Sequence, residues 1–309
     1  MKRLFRRMRR RIKRASDAVV GALAIGVLKT VRMVDPDKMS DFGGSMMRRI
    51  GPLLPESRIG RANLVAAFPE KSEADIEAIL RGCWDNLGRM GAEFAHLDRL
   101  WSYDREDPTR GRIELAQPDI ERFHKLLDDG KPALIFAAHL ANWELPALAA
   151  VAHGLDSAVL YRRPNIGAVD RAIRDMRSLK MTTLIPSGRG ASVHIAGVLA
   201  RGGHVGLLVD QQYRRGTDVT FFGRATRANP LIARLARNIE CPIHGVRVMR
   251  LPDHRFRIEL TEALDPPRDA EGKIDVAATM QAITAIVERW IRERPHEWLW
   301  VHQRWRGRP

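Results

Sequence analysis

Short apolar runs alternate with helix-spaced segments from about residue 131, and this alternation constrains the fold more than any other feature. PALIFAA (132–138) precedes a helical pattern at 143–153, SAVLYR (157–162) one at 168–180, and TTLIPS (182–187) one at 191–201. HVGLLV (204–209) closes the series, a helix pattern at 228–239 leads into CPIHGVRVM (241–249), FRIELTE (256–262) follows, and 275–294 reads as one long helix. Strands that alternate with helices are covered on both faces. The pattern predicts an α/β fold with a central, mostly parallel sheet flanked by helices. Upstream, 72–98 also reads as a helix, with Ser72 as its cap before Asp75.

Polar residues fall at the ends of the predicted strands. His139 follows one, Arg162 ends the next, and Asp210 follows another. Ligands of open α/β sheets bind outside the carboxyl ends of the strands, so the three are expected to share one cleft.

Within AAHLANWELP (137–146), His139 and Glu144 are five positions apart. On an ideal helix they would point about 140° apart, so both cannot serve one substrate from a single helix. Pro146 is tolerated only in a first helical turn. The helix is therefore expected to begin near Asn142 or Trp143, with Asn142 as cap, His139 on the preceding loop and Glu144 in the first turn. From there Glu144 can fold back to the imidazole, fix its tautomer and leave the other ring nitrogen to accept a proton. No serine or cysteine lies in this motif, so it does not suggest a covalent enzyme intermediate. Zinc ligation is not indicated either, because H-E-x-x-H is absent and the other histidines lack ligand spacing. Read alone, the spacing is a loose pattern that fits a satisfied strand-end histidine and a solvated first-turn acid better than a catalytic pair.

The first 34 residues differ from the rest. MKRLFRRMRRRIKR carries nine Lys/Arg and no acid, and AVVGALAIGVL (18–28) is an unbroken apolar run of eleven. A spanning helix needs roughly 20 apolar residues. The run fits a membrane-surface helix anchored by basic residues better, with one tilted span or a soluble helix as the alternatives and the arginines cytoplasmic in both membrane readings. Residues 35–58, rich in glycine and proline, read as a broken connection, and 59–309 as a single domain. The formal net charge of +15 calls for an anionic partner. No nucleic-acid motif is present. Cys83 and Cys241 are the only cysteines and do not suggest a disulfide framework.

AAHLANWE resembles the H-x4-D/E motif of the glycerolipid-type acyltransferases. It is most similar to the late (secondary) acyltransferases of lipid A biosynthesis, of lauroyl/myristoyl type. Further blocks carry the same resemblance in order: RANLVAAFPEKS (61–72), CWDNLGRMGAEF (83–94), YRRPNIGAVDRAIRDMRS (161–178), GGHVGLLVDQQ (202–212), VTFFGRATRANPLIARLA (219–236) and WLWVHQRWR (298–306). The resemblance implies a glycerolipid acyltransferase-like fold and catalytic roles for His139 as general base, Glu144 as its orienting charge, Arg177 as oxyanion donor and Asp210 as an active-site acid. It implies substrate binding by Arg162, Arg163, Asn165, Asp170 and Gln211. Where many members carry Arg-Pro and Asn-Pro, this chain reads Arg162-Arg163-Pro164-Asn165-Ile166, and counting to Asp170 favours Arg162 as the family's arginine.

The implied reaction moves a fatty acyl chain from acyl carrier protein to a hydroxyl of a lipid A precursor, a phosphorylated glycolipid, at the cytoplasmic face of the bacterial inner membrane. No metal or other cofactor is expected, because a thioester is already activated. An apolar tunnel must receive the chain. The alternatives are an acyl-CoA-dependent transferase acting on another phospholipid or glycolipid, and a non-enzymatic basic protein that binds membrane or nucleic acid. Trp290, Trp298, Trp300 and Trp305 crowd the C-terminus and suit either a membrane-facing edge or the core.

Overall fold

The computed structural model describes residues 18, 20–23, 25–104, 106–107, 110–162, 170, 183–188 and 190–305. Seven strands form the central sheet: β1 (Ile113–Leu115), β2 (Ala133–Ala137), β3 (Ser157–Tyr161), β4 (Thr183–Pro186), β5 (His204–Leu208), β8 (Ile243–Arg250) and β9 (Phe256–Leu260). Their order is β1-β9-β8-β2-β5-β3-β4. Every pairing is parallel except β8 with β9. The expected mostly parallel α/β sheet is therefore present. The strands β6 (Thr217–Phe221) and β7 (Arg224–Ala228) pair as a separate antiparallel hairpin.

Helices cover both faces. Three lie upstream: α1 (Pro36–Ile50), α2 (Glu56–Ala67) and α3 (Glu73–Phe94), followed by the short α4 (Leu97–Leu100). Then come α5 (Gln117–Asp128), α6 (Leu145–Ala152), α7 (Ala191–Ala200), α8 (Leu231–Ile239) and α9 (Val276–Glu293). The α3 start follows its sequence signal, since Ser72 and Asp75 form a reciprocal capping box.

Side chains of β2 alternate between two cores, as a strand's two-residue period requires. Leu134 and Phe136 enter the larger core, which holds α7, α8 and α9 residues and the C-terminal tryptophans. Ile135 and Ala137 face the smaller core around α5, α6 and β9. Phe136 stacks on Trp290, with ring centroids 5.6 Å apart.

Residues 35–58 depart from expectation. Their glycines and prolines do not break the chain; most of the segment is α1, capped by Asp35 with Pro36 in the first turn. The glycines serve close packing instead. A Cβ on Gly43 would lie 2.6 Å from the Gly88 carbonyl oxygen of α3, so only glycine lets the two backbones approach this closely. Residues 25–32 are helical. No helix among the described residues is long and apolar enough to cross a membrane.

The tryptophans are core residues. Trp290, Trp298, Trp300 and Trp305 are all buried, which excludes them from a membrane-facing edge. Trp298 and Trp300 meet edge-on at 4.6 Å, and Trp305 stacks on Phe221 of the hairpin. Burial of these large rings outweighs the interfacial preference of tryptophan wherever a packed partner exists.

Candidate active site

His139 lies two residues beyond β2, and Asp210 two residues beyond β5. These strands are direct parallel neighbours, with Ala137 opposite Leu208, so their carboxyl ends bring the two side chains together. The His139 Nδ1–Asp210 Oδ1 distance is 2.7 Å. The other carboxylate oxygen accepts the His139 backbone N–H at 2.9 Å and the Trp298 indole N–H at 2.7 Å. Asp210 thus fixes both the ring and the loop that carries it.

The electrostatics follow from this burial and pairing. Burial alone pushes the His139 imidazole down. The Asp210 charge and hydrogen bond, with the nearby Glu144 charge, outweigh it and hold His139 above its ordinary 6.5. Burial likewise pushes the Asp210 carboxyl up, but His139 and the donated hydrogen bonds override this and bring it down to about 2. An ionised carboxylate on Nδ1 leaves Nε2 as the ring's proton-accepting atom. The side-chain nitrogen of Gln211 rests 3.4 Å from that Nε2.

Glu144 sits differently from its expected place. The helix begins at Leu145, so Glu144 is its N-cap residue rather than a first-turn residue. Asn142 is not the cap: its side-chain oxygen accepts the Glu144 backbone N–H at 3.2 Å in a local turn. That turn delays the helix by two residues. Nor is Glu144 the acid on Nδ1, a place taken by Asp210. Glu144 is buried, lines the cavity described below and contributes charge to His139.

A second network clamps the loop from behind. Asn142 donates to Glu93 of α3 at 2.9 Å, and Glu93 also accepts from Ser40 at 2.8 Å. Arg250 of β8 grips both Glu93 oxygens at 2.6 and 2.8 Å and donates to Asn86 at 2.7 Å. Burial pushes the Glu93 carboxyl up, yet Arg250, Ser40 and Asn142 hold it below its ordinary range. Ala141 takes the left-handed conformation, φ 48°, and its N–H donates to the Glu297 carbonyl at 3.1 Å. Asn86 donates to that same Glu297 carbonyl at 2.9 Å.

Beside His139 a cavity of about 1070 Å³ opens on the smaller-core face of the sheet. Ile135, Ala137, Val159, Gly206 and Leu208 form its sheet wall; Phe123, Pro146, Ala147 and Ala150 come from α5 and α6. His139, Trp143, Arg162, Gln211 and His302 also line it. The ring of Trp143 meets His139 edge-on at 5.0 Å.

The strand-end residues meet the expectation of one shared cleft in part: His139 and the exposed Arg162 line the same cavity, whereas Asp210 is buried on the His139 ring and does not line it. Asp170 is buried and accepts from the Tyr161 hydroxyl at 3.3 Å. Arg163, Asn165 and Arg177 lie outside the described residues. Two participants were missed. Trp298 holds Asp210, and His302 lines the cavity with its imidazole pushed down mainly by burial. Both belong to the WLWVHQRWR block, which carried a family signal but no assigned chemistry.

Neither cysteine offers a nucleophile. Burial pushes the Cys83 thiol up to about 12 and the Cys241 thiol up to about 11. Among the described residues, no group of three His, Cys, Asp or Glu is arranged to hold a metal ion.

The family model for bacterial lipid A biosynthesis acyltransferases matches residues 9–307, nearly the whole chain. The chain belongs to that family. No curated protein matches it. Membership makes it an acyltransferase of lipid A biosynthesis.

Proposed function

We propose that this acyltransferase moves a fatty acyl chain from acyl carrier protein to a hydroxyl of a lipid A precursor, with His139 as general base. The observation that carries the reading is the Asp210–His139 pair, whose Nε2 stands beside an apolar cavity. The acceptor hydroxyl displaces the Gln211 side chain and gives its proton to Nε2 as its oxygen attacks the thioester carbon. The tetrahedral intermediate then expels the carrier's thiolate, which takes the proton back from Nε2. No enzyme-bound acyl group forms, consistent with the raised thiols of Cys83 and Cys241. Glu144 and Asp210 stabilise the imidazolium between the two proton transfers. The oxyanion role stays with Arg177, and phosphate contact with Arg162, Arg163 and Asn165. The thioester is already activated, so the reaction calls for no cofactor.

The cavity suits the acyl chain. It runs from His139 to His204, Ser157 and Leu155 at the far ends of the strands. Six residues of strand at ~3.3 Å each give roughly 20 Å, the length of an extended long fatty acyl chain. The net charge of +15 suits an acidic carrier protein, a phosphorylated acceptor and the cytoplasmic face of the inner membrane. Mass spectrometry of lipid A from cells with and without the gene tests the assignment. Loss of one acyl chain is expected, and an unchanged acyl pattern refutes it.

A further inference from the structure

Large apolar side chains exposed on this protein are concentrated in one part of the chain. Of sixteen such residues among those described, twelve lie between Val20 and Val65. They are not confined to the N-terminal apolar run. On α1, Phe42, Met46 and Ile50 recur every four residues and make one stripe. Gly43 and Gly44 of the same helix pack onto α3, while Phe42, Met46 and Ile50 stay open to solvent. The turn after α1 adds Leu53 and Leu54, and α2 adds Ile59 and Val65. Leu53 is 82% exposed and Phe42 59%, so these large apolar side chains are open to solvent.

The charges beside this face are one-sided. Lys29, Lys38, Arg49 and Arg58 are exposed and make no ion pair among the described residues. The acids nearby are engaged: Asp35 caps α1, Asp37 pairs with Arg112, and Asp41 with Arg89. Glu56 is the exception, an exposed acid with no ion pair among the described residues. A second copy of the chain would set these cations against their like, whereas an anionic lipid surface neutralises them.

We propose that the outward faces of α1 and α2, with the turn between them, dock on an anionic bilayer. The apolar stripe enters the headgroup boundary and Lys38, Arg49 and Arg58 engage lipid phosphates. This rests on the reading of the protein as a membrane-surface acyltransferase and extends it from the N-terminal run to the folded body. The inner side of α1 reaches the catalytic loop through Ser40, Glu93 and Asn142. Docking through α1 therefore holds His139 in a defined position relative to the lipid surface.

The test uses the full chain and vesicles of phosphatidylethanolamine with or without phosphatidylglycerol, read by co-sedimentation. The variant Phe42→Ser/Met46→Ser/Leu53→Ser changes only exposed side chains, and equal melting temperatures establish that it folds. Its partition to phosphatidylglycerol vesicles is expected to fall by roughly tenfold or more, given the apolar surface removed. Acyl transfer to acceptor dispersed in detergent is expected to stay at the parent level. The variant Lys38→Gln/Arg49→Gln/Arg58→Gln is expected to weaken binding only where phosphatidylglycerol is present. Parent-level vesicle binding by the serine variant overturns the proposal. So does a loss of self-association by light scattering with vesicle binding intact, which would make the face a dimer contact. If vesicle binding responds as expected but neither protein transfers acyl groups, docking stands and the assigned reaction fails.

Discussion

Replacing Asp210 by asparagine removes the charge that orients the candidate base while keeping nearly the same shape. The carboxylate accepts from His139 Nδ1, from the His139 backbone and from the Trp298 indole. An amide has one oxygen for these three donors, and its NH₂ favours the tautomer that protonates Nε2, the wrong one for a base. The matching change in a serine protease triad lowers turnover about 10⁴-fold, or ~5 kcal/mol of barrier, and a loss of that order is expected here. The stability effect is smaller. Asp210 stands at about 2 rather than the ordinary 3.8, and at ~1.36 kcal/mol per tenfold in acidity this amounts to ~2 kcal/mol. Because its folded value is depressed, that stability is present above about pH 4 and lost as pH falls through about 2. The His139 contribution has the opposite sign: it is complete below 6.5 and lost as pH rises through the raised folded value. In the parent protein kcat/KM should rise with pH through a midpoint above 6.5, as His139 deprotonates. In Asp210→Asn that midpoint should move down, since burial remains and the opposing charge is gone. The assay is kcat/KM against pH for both proteins with one thioester donor. Activity of Asp210→Asn within about tenfold of the parent, or an unmoved midpoint, refutes the reasoning.

Three further outcomes follow from the same geometry. Arg250→Leu leaves Glu93 buried without its cation, so the fold should lose about 3–5 kcal/mol in a denaturant titration, whereas Asn142→Ala should lower kcat more than stability, because it frees the loop from Glu93 and releases the Glu144 N–H. Ala137→Phe fills the cavity next to His139 and should abolish use of long acyl donors while sparing short ones, measured as kcat/KM across a chain-length series.

Six of the sheet's seven strands were legible as short apolar runs, a pattern that depends on local burial alone; the edge strand β1 was not, being three residues with Glu114 at its centre. The hairpin β6–β7 was not: its strands carry Thr217, Asp218, Arg224 and Arg227, so no apolar run marks them. Helix α1 was hidden for a different reason. Gly43 and Gly44 look like breakers in isolation and become packing residues only when Gly88 faces them. The tryptophans were ambiguous because a ring's burial depends on partners far along the chain, such as Phe221 for Trp305. At the site, His139 on its loop was readable from Pro146 and the five-residue spacing. The acid on its ring was not, since Asp210 is 71 residues away and only the β2–β5 pairing brings it near. Glu144, the nearer acid in sequence, drew the role that the fold gives to Asp210.

The central claim is that His139 delivers an acyl chain from acyl carrier protein to a hydroxyl of a lipid A precursor. The most direct measurement incubates the purified full chain with acyl carrier protein thioester and lipid A precursor, then weighs the glycolipid by mass spectrometry. The account predicts a gain of one ester-linked acyl chain, lost in His139→Ala although that variant still binds both substrates. An unchanged glycolipid mass, acylation from acyl-CoA alone, or an equal gain with His139→Ala would contradict it.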